Sequence, residues 1–245
     1  MDGCFFVAMR GQMCYSKKKT EDNTVIAKVN GVELYYEKSG EGRPLILVHG
    51  NGEDHGIFNE AVAVLKKDFC VYAVDSRGHG RSSRVPTLHY EDMADDMIAF
   101  LEALDLRDAV FYGFSDGGIV GLIAASRCDR IGTLIVSGAN LSPKGVRRKV
   151  RLSIWGMNKL RPDDKLALML REPQITDSQL RAIRADTLVL AGSADLILLE
   201  ETRHIAAMIP GAQLQILQGE DHGSYIVHSE KIAEIIREFA FSDLG

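Results

Sequence analysis

The sequence predicts an α/β protein: an eight-stranded, mostly parallel sheet flanked by helices, with a short helical cap inserted after the sixth strand. Short runs rich in Val, Ile and Leu alternate with apolar patterns of helical spacing along most of the 245 residues. Several runs are apolar at nearly every position, as in strands that are buried on both faces of a parallel sheet. The pair Asn30-Gly31 separates the first two runs and favours a hairpin turn.

Eight runs have the length and composition of strands. The first two are joined by the hairpin turn, and most of the others are far enough apart for the crossover helices that parallel strands require. The predicted strands are residues 24–29, 32–38, 45–48, 69–74, 109–113, 132–137, 187–192 and 212–217.

Four helices alternate with the later strands. The second of them begins at Ser115, and the third covers residues 200–208. The first and the last are predicted from apolar positions at helical spacing: Met93, Met97, Leu101 and Leu104 in the first, and Ile226, Ile232, Ile235, Ile236 and Phe239 in the last.

Residues 1–23 are predicted to be a flexible leader that precedes the fold. Their apolar run, residues 4–9, follows an acidic residue and lacks the basic flank of a signal peptide and the length of a membrane span. Met9 and Met13 offer alternative starts, so the true start stays open.

The alternation of strands and helices is interrupted at residues 141–185, here called the cap, which divides the predicted core into residues 24–140 and 186–245. Trp155 and Met157 of the cap are candidate substrate-pocket residues, although packing within the cap explains them equally well. Seven basic residues of the cap precede its first acidic one: Lys144, Arg147, Arg148, Lys149, Arg151, Lys159 and Arg161.

These basic residues have two interpretations. They form a positively charged lid that favours anionic acyl groups, or they belong to a solvated helix face. The four-residue spacing of Val146, Val150 and Ile154 on the opposite face favours the second interpretation.

A candidate nucleophile lies between the fifth strand and the helix that follows it. Residues 113–117 read Gly-Phe-Ser-Asp-Gly and fit the pattern G-x-S-x-G, in which the glycines permit a turn tight enough to expose the hydroxyl of Ser115. A serine hydroxyl needs a nearby base to remove its proton during attack. The motif alone is weak, and its position between a strand and a helix makes it specific.

Later loops supply a candidate acid and a candidate base. Asp195 follows the seventh strand, and His222 lies in a turn after the eighth. Their rivals are Asp75, which also follows a strand-like run, and His228, which falls inside the pattern of the final helix. The other loop histidines are His49 and His79.

The order Ser115, Asp195, His222 is the order of the catalytic triad in α/β-hydrolases. From about Val25 to Phe239 the chain resembles the α/β-hydrolase superfamily. Two further patterns carry the resemblance: residues 45–52, Leu-Ile-Leu-Val-His-Gly-Asn-Gly, and residues 75–82, Asp-Ser-Arg-Gly-His-Gly-Arg-Ser.

The resemblance implies roles for the residues around the triad. Asp195 would orient His222, and the backbone N–H groups of Asn51 and Asp116 would form the oxyanion hole, for which the Asn51 side chain is not required. It also implies structural roles for His49, His79 and Asp75, and it places the variable cap over the active site.

The expected activity is hydrolysis of a small carboxylic ester or thioester through an acyl-enzyme on Ser115. An aminopeptidase or amino-acid ester hydrolase, a lactonase, a C–C hydrolase and a perhydrolase remain alternatives on the same triad. A non-catalytic, ligand-binding member of the fold is a further alternative. Haloalkane dehalogenases and epoxide hydrolases are excluded, since they use an aspartate where this chain has Ser115.

Asp116 has two interpretations of its own. A carboxylate in the first turn of a helix is stabilised by the helix dipole. Alternatively, Asp116 faces the substrate pocket and pairs with a cationic group, such as the amine of an amino-acid ester. The second interpretation and a basic lid predict opposite substrate charges.

Composition narrows the remaining choices. A hydrophobic content of 46% is sufficient for one full core, and a net charge of −5 argues against nucleic acid as a partner. Four scattered cysteines indicate reduced thiols and a cytoplasmic location. We expect a small-molecule acyl substrate, no cofactor, no metal and no membrane partner, and either a monomer or a homodimer.

Overall fold

The computed structural model describes residues 24–242. The predicted leader, the alternative starts and two of the four cysteines, Cys4 and Cys14, lie outside these residues. Within them, Cys70 and Cys128 are free thiols. No helix in the described part of the chain is both long and apolar enough to cross a bilayer.

Eight strands form one sheet in the order β1-β2-β4-β3-β5-β6-β7-β8. β1 pairs antiparallel with β2, and β2 with β4, while all the other pairs are parallel. The predicted fold class is therefore confirmed. The strands are β1 Thr24–Val29, β2 Val32–Ser39, β3 Arg43–Val48, β4 Phe69–Val74, β5 Ala109–Phe114, β6 Ile131–Ser137, β7 Asp186–Gly192 and β8 Gln213–Leu217.

Eight α-helices and two short 3₁₀ turns accompany the strands in the described chain, and the last helix follows β8. Three of the helices, α4, α5 and α6, occupy the predicted cap between β6 and β7. The helices are α1 Asn59–Leu65, α2 Tyr90–Ala103, α3 Asp116–Ala125, α4 Arg148–Leu160, α5 Asp164–Arg171, α6 Asp177–Ala182, α7 Leu199–Met208 and α8 Lys231–Ala240. The 3₁₀ turns are His55–Phe58 and Pro143–Gly145.

The structure corrects the prediction of the final helix. Ile226 and His228 lie in the turn before α8 rather than inside the helix. His228 has a φ of 50°, a left-handed conformation that a right-handed helix cannot contain. α1 was not predicted, because only Ala61 and Leu65 of its seven residues are buried and the apolar pattern is correspondingly short.

Two apolar layers cover the sheet, one on each face. Along β3, Leu45 and Leu47 pack in the layer of α1 and α8, while Ile46 and Val48 pack in the layer of α2, α3 and α7. All four side chains are fully buried. Burial on both faces explains why β3 is an unbroken apolar run from Leu45 to Val48. It also holds the end of β3, and with it the loop that follows, in place.

A buried ion pair ties the loop after β4 to α2. Arg77 donates through Nε and Nη2 to the two carboxylate oxygens of Asp96, both at 2.6 Å. Asp96 is 1% exposed and also accepts from the Asn30 side chain at 3.2 Å. Such a pair is strongly destabilised when one partner is removed, because the other charge is left unpaired in the interior.

We therefore expect Arg77→Met to lower the free energy of unfolding by about 3–5 kcal/mol. The double variant Arg77→Met/Asp96→Leu should recover most of this loss, because it leaves no unpaired buried charge. Urea unfolding at neutral pH measures both effects. Arg107→Met, at an exposed ion pair with Asp105, is the matched control and should leave the unfolding midpoint unchanged. Equal destabilisation of the single and double variants would contradict the role given to Asp96.

Candidate active site

Ser115 occupies a sharp turn between β5 and α3. Its φ of 53° and ψ of −112° lie in a region that residues with a side chain rarely adopt. The turn is compact enough to exclude side chains at both flanking glycines. A Cβ on Gly113 would lie 2.1 Å from the carbonyl oxygen of Gly117, and one on Gly117 would lie 2.1 Å from that of Val48. The glycines of the motif are therefore sterically required.

Ser115, His222 and Asp195 lie in one hydrogen-bonded chain. The Ser115 Oγ is 3.1 Å from His222 Nε2, and His222 Nδ1 is 2.7 Å from Asp195 Oδ1. Because an ionised carboxylate only accepts, Nδ1 carries the proton and leaves Nε2 free to accept from the hydroxyl. Asp195 is completely buried, and its Oδ1 also accepts from the backbone N–H of Ile197.

The turn that carries His222 is fixed by its neighbours. Asp221 Oδ1 accepts from the backbone N–H groups of Gly223 and Ser224, and these bonds lower the pKa of Asp221. On the other side, a Cβ on Gly138 would lie 2.6 Å from His222 Cε1, and the φ of Gly138 is 61°. Only glycine leaves room for the imidazole there.

The two residues proposed for the oxyanion hole lie side by side. The backbone N–H of Gly117 donates to the carbonyl of His49 at 3.1 Å, which joins the turn of Ser115 to the loop after β3. Across this junction the Asn51 side chain donates to Asp116 Oδ2 at 2.8 Å and to the carbonyl of Lys165 at 3.2 Å. The Asn51 side chain, which the oxyanion hole is not expected to require, therefore links the turn of Ser115 to the cap.

The Asp116 carboxylate points into the protein rather than toward solvent. It is 2% exposed, and its two oxygens accept from the Tyr90 hydroxyl, at 2.7 Å, and from Asn51. Burial raises the pKa of Asp116 to about 6, although both hydrogen bonds oppose this shift. Neither interpretation of Asp116 from the sequence included this network, since Tyr90 and Asn51 are distant in the chain.

Glu53 is a site residue that sequence reasoning missed. Its Oε2 accepts from the backbone N–H of Gly50 at 2.9 Å. A Cβ on Gly50 would lie 2.7 Å from that oxygen and 3.2 Å from the Cβ of Ser115, so the carboxylate and the serine flank the same small space. Burial raises the pKa of Glu53. The sequence could have pointed to Glu53, because it lies three residues after Gly50 in the loop that follows β3.

The rival histidines have other partners. His49 is buried, and its Nε2 accepts from the backbone N–H of Ser76, which fits a neutral ring whose pKa burial lowers to about 4. His79 is buried beside it, and burial also lowers its pKa. His228 is largely exposed and contacts Glu60.

Three other predicted residues, Asp75, Trp155 and Met157, lie apart from the chain of Ser115, His222 and Asp195. Asp75 is buried and accepts from the backbone N–H groups of His55 and Arg81. Trp155 and Met157, proposed as pocket residues, are 54% and 47% exposed on α4. Their contact with a substrate stays a prediction, and their exposure shows that they are not enclosed in a formed pocket.

Comparisons with known proteins agree with this fold. A family model described as the alpha/beta hydrolase fold matches residues 43–160. The AB hydrolase superfamily protein YisY of Bacillus subtilis is 26% identical over a match that covers 86% of this chain and 96% of that protein. Serine hydrolase BPHL of Homo sapiens is 37% identical, but the match covers only 46% of this chain and 41% of BPHL.

A solved structure extends the likeness over most of the fold. A thermophilic esterase from Thermogutta terrifontis superposes with a TM-score of 0.73 and a sequence identity of 26%. The superposition covers 89% of this chain and 98% of the esterase.

The raised pKa of Asp116 predicts a specific pH dependence of stability. Between its ordinary pKa of 3.8 and about 6, the unfolded chain releases this proton while the folded chain keeps it, so stability falls as pH rises through that window. The full loss corresponds to about 3 kcal/mol. Asp116→Asn removes this contribution, and we expect the variant to gain stability over the parent from pH 4 to pH 7, a range chosen to bracket the window.

Urea unfolding of both proteins across this range measures the difference. Asp129→Asn, at an exposed position, is the control and should give a difference that does not vary with pH. A constant difference for Asp116→Asn as well would contradict the buried, ionisable state assigned to Asp116.

Proposed function

Because the chain belongs to the α/β-hydrolase superfamily and is a hydrolase acting on carboxylic ester or related acyl bonds, we propose that it cleaves a small carboxylic ester or thioester through an acyl-enzyme on Ser115. The observation that carries this proposal is the hydrogen-bonded chain from the Ser115 hydroxyl through His222 to the buried carboxylate of Asp195.

Acylation begins when the Ser115 Oγ attacks the carbonyl carbon and His222 Nε2 accepts the hydroxyl proton. The buried carboxylate of Asp195 stabilises the imidazolium that forms. The backbone N–H groups of Asn51 and Asp116 donate to the oxyanion of the tetrahedral intermediate. When this intermediate collapses, the alcohol or thiol leaves with the proton from His222, and the acyl group remains on Ser115.

Deacylation repeats these steps with water as the nucleophile. His222 accepts a proton from the water as it attacks the acyl carbon, and it then returns the proton to the Ser115 oxygen. The same groups would serve a lactone, an amide, a C–C bond next to a carbonyl, or perhydrolysis. The cap, three short helices between β6 and β7, favours a substrate of modest size.

A second candidate, hydrolysis of amino-acid esters, is favoured by the acidic groups around the nucleophile. Glu53 and Ser115 flank the same small space, and Glu53 is only partly buried. A carboxylate in this place attracts an ammonium group on the acyl part of a substrate. Asp116 is a less suitable partner for that group, because both its oxygens already accept hydrogen bonds.

Ser115→Ala and His222→Ala should each lower kcat for p-nitrophenyl acetate by about 10³-fold or more, because each removes a group that forms or breaks bonds. A fluorophosphonate probe should label the parent at Ser115 and leave Ser115→Ala unlabelled. His228→Ala, at an exposed histidine, is the matched control and should keep the parental rate. Hydrolysis at the parental rate by both active-site variants would indicate a non-catalytic member of the fold.

Glu53→Gln tests the second candidate with two matched substrates, the p-nitrophenyl esters of alanine and of propionate, which differ by the amine. If Glu53 binds that amine, kcat/KM for the alanine ester falls by about 10-fold or more, the value of a charge-assisted hydrogen bond, while that for the propionate ester changes little. Glu102→Gln, at an exposed position on α2, should alter neither. An equal loss for both esters would contradict amine binding and assign Glu53 to holding the Gly50 loop.

A further inference from the structure

The outward face of α4 presents large apolar side chains to solvent. Leu152 is 55% exposed, Trp155 54% and Leu160 89%. Leu152 and Trp155 lie between Arg148 and Lys159 at spacings of four, three and four residues, which places these four side chains on one face of the helix.

The same segment carries positive charge without compensation. All the charged residues from Lys144 to Arg161 are basic, and the first acidic residue after them is Asp163. Within residues 24–242, none of these basic groups forms an ion pair. The Lys159 ammonium instead lies 6.0 Å from the centre of the Trp155 ring.

We propose that α4 binds an anionic lipid surface and lies in the plane of the headgroups. Leu152 and Trp155 would enter the boundary between headgroups and acyl chains, and Arg148 and Lys159 would contact lipid phosphates. Exposed tryptophan beside lysine and arginine on an amphipathic helix is the pattern of helices that lie on membranes. At 13 residues α4 is about 20 Å long, too short to span a bilayer but long enough to lie on one.

A second copy of the chain fits this face poorly. In a two-fold symmetric dimer through α4, the same patch faces itself, so the basic residues of both copies would be brought together without acidic partners. An anionic surface satisfies both the charge and the apolar side chains. The expectation of no membrane partner was based on the lack of a membrane-spanning segment or signal peptide. A helix that lies on the membrane surface needs neither.

Binding through α4 would also hold the reaction centre close to the lipid. Arg147, directly before α4, donates through Nε to the backbone carbonyl of Asp195 at 2.6 Å. Val146 forms a bridge with Ile197, two residues after Asp195. The attachment of α4 is therefore continuous with the loop that carries the triad carboxylate.

Trp155 is the only tryptophan of the chain, so its fluorescence reports directly on this face. The full chain is titrated with vesicles of phosphatidylcholine, either pure or with about one third phosphatidylglycerol. We expect a blue shift of the emission and co-sedimentation with the anionic vesicles only. High salt should weaken this binding, because it screens the contacts with the phosphates.

Two variants test the basic and the apolar side chains of α4 separately, and both retain Trp155 as the fluorescent reporter. Arg148→Gln/Lys159→Gln should weaken vesicle binding by about 30-fold, since each cationic contact contributes roughly five-fold. Leu152→Ser should reduce the blue shift at saturation. The matched controls are Lys66→Gln/Lys67→Gln, at two exposed lysines after α1, and Leu214→Ser, at an exposed leucine of β8. Unchanged ester hydrolysis in lipid-free buffer verifies that all variants are folded.

Three results would overturn the proposal. One is the absence of a blue shift with anionic vesicles, and another is equal binding to pure phosphatidylcholine, which would show that charge plays no part. The third is a blue shift in lipid-free buffer that grows with protein concentration and disappears in Leu152→Ser, which would identify the partner as a second copy of the chain.

Discussion

The close approach of three backbone segments around Ser115 is the constraint on which the site depends. The turn between β5 and α3 is so tight that Gly113 cannot carry a Cβ, and it packs so closely against the end of β3 that Gly117 cannot carry one either. Hydrogen bonds from Ser115 to Ser137 and from Gly117 to His49 join the same turn to β6 and to the loop after β3. A conformation of this kind costs of order 1–3 kcal/mol, and it persists because the surrounding sheet leaves no alternative.

The same approach explains the polar network beside the nucleophile. Once the turn is pressed against the loop after β3, the side chain that follows Ser115 is enclosed, and it must find partners within the protein. Asp116 obtains them from Tyr90 of α2 and from Asn51, which also reaches the carbonyl of Lys165 in the cap. The backbone of the proposed oxyanion hole, the core helices and the cap are thus connected through one buried carboxylate.

The fold could be predicted from the sequence because each strand and most helices are marked by a local pattern of apolar residues. Every predicted strand agrees with the structure to within two residues at each end. The signal is clearest in β4 and β5, which are buried at every position and therefore form nearly continuous apolar runs. The short α1, with two buried side chains, lacks such a signal. Motifs also pointed to the three side chains that the structure brings together at one edge of the sheet. The partners of Asp116 and the position of Glu53 depend on contacts between distant segments, which no local pattern encodes.

The distribution of charge resolves a conflict that the sequence left open. An acidic pocket and a basic cap predict opposite substrate charges only if both groups face the substrate. In the structure the acidic groups, Glu53 and Asp116, surround the nucleophile, whereas Arg148, Lys149 and Lys159 are exposed on α4. Because the acidic groups lie at the nucleophile and the basic groups lie on the exposed face of α4, the two sets can recognise different partners. We propose that Glu53 of the inner set acts on the substrate and that the outer set acts on the lipid surface that the cap meets.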